Sequence, residues 1–225
     1  MWLQDPAPPP AIWWAYVRQI ADFLKPGDPS PAEVHPTQRH TQWIYTIGLE
    51  PLATDGLKSV RPIGWRFLTG AGSGMALSAM VGQCNESEVP KLTGLSRGPK
   101  VTAAVHAAGV LRNLPEAKGG EFEVLVLTIP GLLIEAFWLK TPPDGAETDW
   151  FVPFVTISDD LHPMRLYKRA DFLKRVQALA TKQLDLLKAA AESPSRPPGR
   201  LAPRGRARIA NQNSKARTTS AASRS

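Results

Sequence analysis

A few positions in this chain could do chemistry. Gly94-Leu95-Ser96-Arg97-Gly98 matches G-x-S-x-G, the pattern that presents a serine nucleophile on a sharp strand-to-helix turn. Pro99 suits the first turn of a following helix. Val101, Ala104, Val105, Ala108 and Leu111 then form an apolar stripe that runs to Asn113-Leu114-Pro115. Asp149, Asp159 and Asp160 precede His162, so the order serine, aspartate, histidine is available. The pattern also needs a strand just before it. Residues 85–93 are polar and carry Pro90, which excludes a central parallel strand there. Five residues with two glycines also recur by chance, so Ser96 and His162 stand as catalytic candidates without a framework.

Glu135 is the second candidate. It is flanked by Leu133, Ile134, Ala136 and Phe137, and a dry, unpaired carboxylate there is costly. Such a group either works as a general acid or base, or is neutralised, for instance by Arg66. The ion pair is the simpler reading.

Arg97 and Lys100, with the free amides of a helix start, could hold an anion. Cys84 and His106 could form a thiol–imidazole pair, but nothing in the sequence brings them together. His35 and His40 sit in a Pro-rich loop and fall short of the three or more rigid ligands of a metal site. The glycine turn at residues 70–74 lacks the Lys-Ser/Thr of a phosphate loop. The expectation is therefore no metal and no cofactor.

The elements that must position these residues are legible in part. Residues 121–157 are the most apolar stretch. They read as a strand at 122–128, a break at Ile129-Pro130-Gly131, a second strand at 132–139, a turn, and a third strand at 150–155. Both faces of the first strand are apolar, so both need cover. Residues 42–49 read as a short strand, and 65–69 with 75–81 as a hairpin. Helices are expected at 99–113 and 168–192.

Before them, Ile12, Trp13, Tyr16, Val17, Ile20, Phe23 and Leu24 recur at helical spacing until Lys25-Pro26-Gly27. This helix either packs on the sheet or docks a partner through Trp13, Trp14, Tyr16 and Phe23.

The organisation expected is a helix and Pro-rich linker at 1–40, one domain at 41–192, and a disordered tail at 193–225. The net charge of +7 belongs to that tail. Eight of the 27 basic residues fall in it, among them Arg204, Arg206 and Arg208, and it holds no acid. The remainder is near neutral, with nineteen basic against 20 acidic residues. Arg204, Arg206 and Arg208 could make weak, salt-sensitive contact with a polyanion such as nucleic acid, although no aromatic is present to stack a base. One cysteine excludes an internal disulfide framework. Neither a signal peptide nor a membrane span is visible, and a cytoplasmic protein is expected.

Trp65-Arg66-Phe67-Leu68, then Ile129 to Leu132, Ala136 to Leu139 and Phe151 to Phe154, resembles a pattern in bacterial proteins without an assigned activity. The resemblance covers roughly residues 60–190 and implies one compact α+β domain. It carries no functional residue.

The fold expected is α+β: an antiparallel sheet of about five strands with two helices packed on it. The function expected is a non-enzymatic, partner-binding or assembly protein. The alternatives are a hydrolase using Ser96 or Glu135 and a nucleic-acid-associated protein acting through its tail.

Overall fold

The computed structural model describes residues 2–4, 6–28, 30–31, 41–70, 76–82, 88–111, 113, 121–142 and 148–192. The tail at 193–225, with Arg204, Arg206 and Arg208, lies outside the described residues, as do Cys84, His35, His40 and the glycine turn at 71–74.

The fold is α+β. The strands are β1 (Trp2–Gln4), β2 (Thr41–Thr46), β3 (Arg61–Gly70), β4 (Ala76–Gly82), β5 (Lys91–Ser96), β6 (Glu121–Ile129), β7 (Ile134–Lys140), β8 (Trp150–Val155) and β9 (Tyr167–Lys168). The helices are α1 (Pro10–Phe23), α2 (Leu49–Asp55), α3 (Pro99–Leu111) and α4 (Arg169–Glu192). The strands form one sheet in the order β5-β4-β3-β2-β6-β7-β8-β9, with β1 paired to β6 off that path.

The sheet is larger than the five strands expected, and it is mixed. β1 and β2 both run parallel to β6, while the other pairs are antiparallel. The reason lies in the connection. β2 to β5 fold as an antiparallel meander, α3 then carries the chain off the β5 edge, and β6 returns to the free side of β2. A parallel pair requires such a long crossover.

Alternation along the strands supplies two apolar faces, and helices cover both. Val124 and Val126 face α3, in a cluster with Leu68, Val101, Ala104 and Phe137. Leu125 and Leu127 face the other way, toward α2 and α4, with Leu52, Phe172 and Val176. On that same second face, α1 packs Ile12, Tyr16 and Ile20 on Trp65, Phe67, Leu77, Ala79 and Val81. The double-faced hairpin is thus the centre of a three-layer stack. Between β6 and β7 the chain makes a single 3-10 turn at Pro130–Leu132, because Pro130 brings no ladder donor.

β5 corrects the reading of residues 85–93 as lacking a strand. Leu92 is buried while Lys91 and Thr93 are exposed, so half the strand reads as polar. It lies at the sheet edge, where Gln19 of α1 accepts the backbone N–H of Leu92 through Oε1 at 3.0 Å. An edge strand tolerates polar residues and a preceding proline, which a central parallel strand does not.

Candidate functional site

The face of the sheet under α3 is apolar toward β8 and becomes polar toward β5. Strand register sets this out. Ser78 of β4 lies opposite Leu68 of β3 on one side and Ser96 of β5 on the other, Arg66 lies opposite Met80, and Thr128 opposite Glu135. These side chains share one face, and the first turn of α3 stands over them. Gly98, at φ +96°, makes the turn from β5 into α3, a conformation that favours glycine. Its carbonyl accepts the N–H groups of Val101 and Thr102 at 3.0 and 3.1 Å.

Between this turn and the sheet lies a cavity of about 370 Å³. Ile44, Ile63, Leu68, Met80, Val101 and Ala104 supply its apolar wall, and Arg66, Ser78, Ser96, Arg97, Lys100, Thr128 and Glu135 its polar one. The size is at the lower end of the range for small-molecule sites.

Arg66 is the deepest charge. It is buried, and Nη1 donates to Glu135 Oε2 at 2.8 Å while Nε donates to Gln42 Oε1 at 2.8 Å. Its Cζ lies 5.3 Å from the centre of the Phe154 ring. Nη2 has no acceptor among the described residues. Burial lowers the guanidinium pKa, and Glu135 opposes that shift. The group stays charged, because arginine begins so far above neutrality.

Arg97 is held differently. Nε donates to Asp28 Oδ1 at 2.8 Å and Nη2 to Asp28 Oδ2, and the backbone N–H of Lys25 donates to the same carboxylate at 2.6 Å. These bonds, the one from Arg97 foremost, hold the Asp28 carboxyl below the usual range. The same bond raises Arg97. The end of α1 is thereby tied to the start of α3. Lys100 is exposed at the cavity and forms no ion pair among the described residues.

The structure brings Ser96, Glu135, Arg97 and Lys100 to one cavity. His162 is not there. It is exposed in the loop between β8 and β9, where its backbone N–H donates to Tyr167 Oη at 2.9 Å. His106 is exposed on α3 and does not line the cavity. No group of three or more His, Cys, Asp or Glu able to hold a metal occurs among the described residues. Among them, too, no helix is long and apolar enough to cross a membrane.

The α1 aromatics divide. Tyr16 is fully buried and stacks on Phe67 at 4.4 Å, and burial pushes its hydroxyl pKa up. Trp13 and Phe23 are half-buried against the same cluster. Trp14 is 54% exposed, with Arg18 over its ring.

Sequence reasoning did not single out Gln42, Asp28 or, on the cavity wall, Ser78, Met80 and Thr128. Gln42 lies directly opposite Arg66 in the β2–β3 register, whereas the hairpin read from the sequence paired 65–69 with 75–81 only. Nothing local links Asp28 to Arg97. Comparison with family models, with curated proteins and with solved structures finds no match.

Proposed function

We propose that this chain is a non-enzymatic binding protein whose specific site is the cavity between α3 and the sheet. One observation carries the reading: Glu135, the carboxylate on the cavity wall, is bonded to the buried Arg66 at 2.8 Å. A carboxylate held this way is a poor general base, since its lone pair and charge are engaged. No histidine or cysteine lines the cavity among the described residues to activate Ser96. What remains is a small chamber with an apolar wall and polar groups that converge on it, the make-up of a recognition site. The expected protein partner stays in this reading through Trp14, the aromatic of α1 that is more than half exposed. A cytoplasmic location is proposed with it, in keeping with a single cysteine.

Native mass spectrometry of protein isolated from its own cells tests the reading. A small-molecule mass excess is expected, and it should be absent from a folded Ala104→Leu variant, whose added bulk enters the chamber. Protein free of any such excess overturns it.

A second reading has one observation in its favour. Ser96 ends a strand, stands at a glycine turn into a helix and lines the cavity with Glu135. That reading is a serine hydrolase. Fluorophosphonate labelling that Ser96→Ala abolishes would replace the first reading with this one.

A further inference from the structure

The chamber's charges say what kind of molecule it takes, if it takes one as proposed above. Among the described residues three cations line it, Arg66, Arg97 and Lys100, and one carboxylate, Glu135. Arg97 is neutralised from outside by Asp28, and Arg66 by Glu135. Among the described residues, Lys100 is left as the single uncompensated positive charge. That balance suits one negative charge. A dianion would leave one charge unmatched in a partly dehydrated space.

Arg66 adds a second, independent requirement. It is 6% exposed, it lines the chamber, and its Nη2 has no acceptor among the described residues. A buried guanidinium nitrogen without an acceptor is costly, and an oxyanion is the group that satisfies it best. Glu135 already takes Nη1, and Gln42 takes Nε. Nη2 is enclosed as it stands, and a ligand oxygen that reached it would supply the missing partner. Beside the hydroxyls of Ser78, Ser96 and Thr128, the wall is made of Ile44, Ile63, Leu68, Met80, Val101 and Ala104, which suits a ligand whose remaining body is mostly apolar.

We propose that the cavity binds a small monocarboxylate with an apolar body, its acid group held by Arg66 and Lys100 beside the first turn of α3. The positive end of the helix favours the same charge, although the N–H groups of Val101 and Thr102 are given to the Gly98 carbonyl. Ser78 and Ser96 supply hydroxyls within the same wall for any further oxygen, while the Thr128 hydroxyl donates to the Tyr45 carbonyl at 3.2 Å.

Titration of the whole chain with four probes of equal chain length tests this: octanoate, octanol, octylamine and octyl phosphate. The readouts are calorimetry and the backbone amide shifts of Lys100, Val101 and Ala104. Octanoate is expected to bind and to move those amides, with octanol at least about tenfold weaker and octylamine weaker still. Lys100 is exposed, so Lys100→Gln should fold as the wild type does. It should weaken octanoate by roughly fivefold and leave octanol unchanged. Arg66→Lys keeps the charge and removes Nη2, and should weaken octanoate about tenfold. Should that variant fail to fold, Lys100→Gln decides alone.

Equal binding of octanoate and octanol overturns the acid-group assignment while the binding cavity stands. Octyl phosphate binding tighter than octanoate overturns the choice of a single charge. If none of the four probes moves the three amides, the cavity is not a site for such molecules, and both proposals fall.

Discussion

Arg66 and Glu135 meet at 2.8 Å although β3 and β7, which carry them, are separated by β2 and β6. At the usual spacing of neighbouring strands, the two backbones lie about 14 Å apart. The two side chains span the parallel seam where the antiparallel meander joins the hairpin, and they do so on the cavity wall. The pair is at once a tie across the sheet and the reason Glu135 is not a free carboxylate.

Removing one partner should therefore cost more than the pair is worth. Glu135→Ala leaves Arg66 buried without its counter-charge. A loss of about 2–4 kcal/mol is expected in urea melts, somewhat under the ~3–5 kcal/mol of a wholly buried pair because Glu135 is partly solvated. The double change Arg66→Met with Glu135→Met should return to within about 1 kcal/mol of the wild type. Equal losses in the single and double variants would show that the pair is not coupled.

Gly64 gives a sharper test of the sheet. It sits at φ +145° where β2 and β3 slip register, and a Cβ there would lie 2.2 Å from the Val81 carbonyl oxygen. Backbone cannot give way as a side chain does. Gly64→Ala should destabilise by more than about 3 kcal/mol, among the largest effects of any single change. Near-wild-type melting of this variant would contradict the β3–β4 register.

Two aromatics on α1 should respond in opposite ways. Tyr16 lies in the core against Phe67, and Tyr16→Ala should lose about 3–5 kcal/mol. Trp14 faces solvent, and Trp14→Ala should change stability by no more than about 0.5 kcal/mol. If Trp14 docks a partner, its loss will appear in pull-down from the native lysate and not in the melt.

The tie between Asp28 and Arg97 predicts a dependence on acid. The Asp28 carboxyl is held below its usual range in the folded chain, so its contribution is complete above the unfolded carboxylate pKa. It fades as pH falls through the lower, folded value. Asp28→Asn should melt below the wild type at pH 7, and the gap should close on acidification below about pH 4. A gap that stays constant with pH would mean the carboxylate does not carry the tie.

How much of this could be read from the residues follows a physical division. The hairpin around Pro130, the strand at 150–155 and helices α3 and α4 were legible because their apolar periodicity is local and strong. β5 was not: an edge strand buries only one side, and Leu92 alone does not make a pattern. The parallel seam was not either, because strand direction depends on where α3 delivers β6. The site shows the same split. Ser96, Glu135, Arg97 and Lys100 were each singled out on local chemistry, and the Arg66–Glu135 pair was foreseen as a neutralising contact. Their convergence on one chamber follows from the crossover, which leaves no local trace. Asp28 reaches Arg97 only because α1 lies along the β5 edge.

The seam also orders events on the ribosome. β1 and β2 are made long before β6, the strand that both must pair with. During that interval β2 to β5 can zip together as neighbours, while Trp2–Gln4 waits without a mate and the inner side of β2 stays open. A nascent chain stalled before residue 121 would therefore carry an unsatisfied sheet edge, the kind of surface that chaperones hold and that neighbouring copies join.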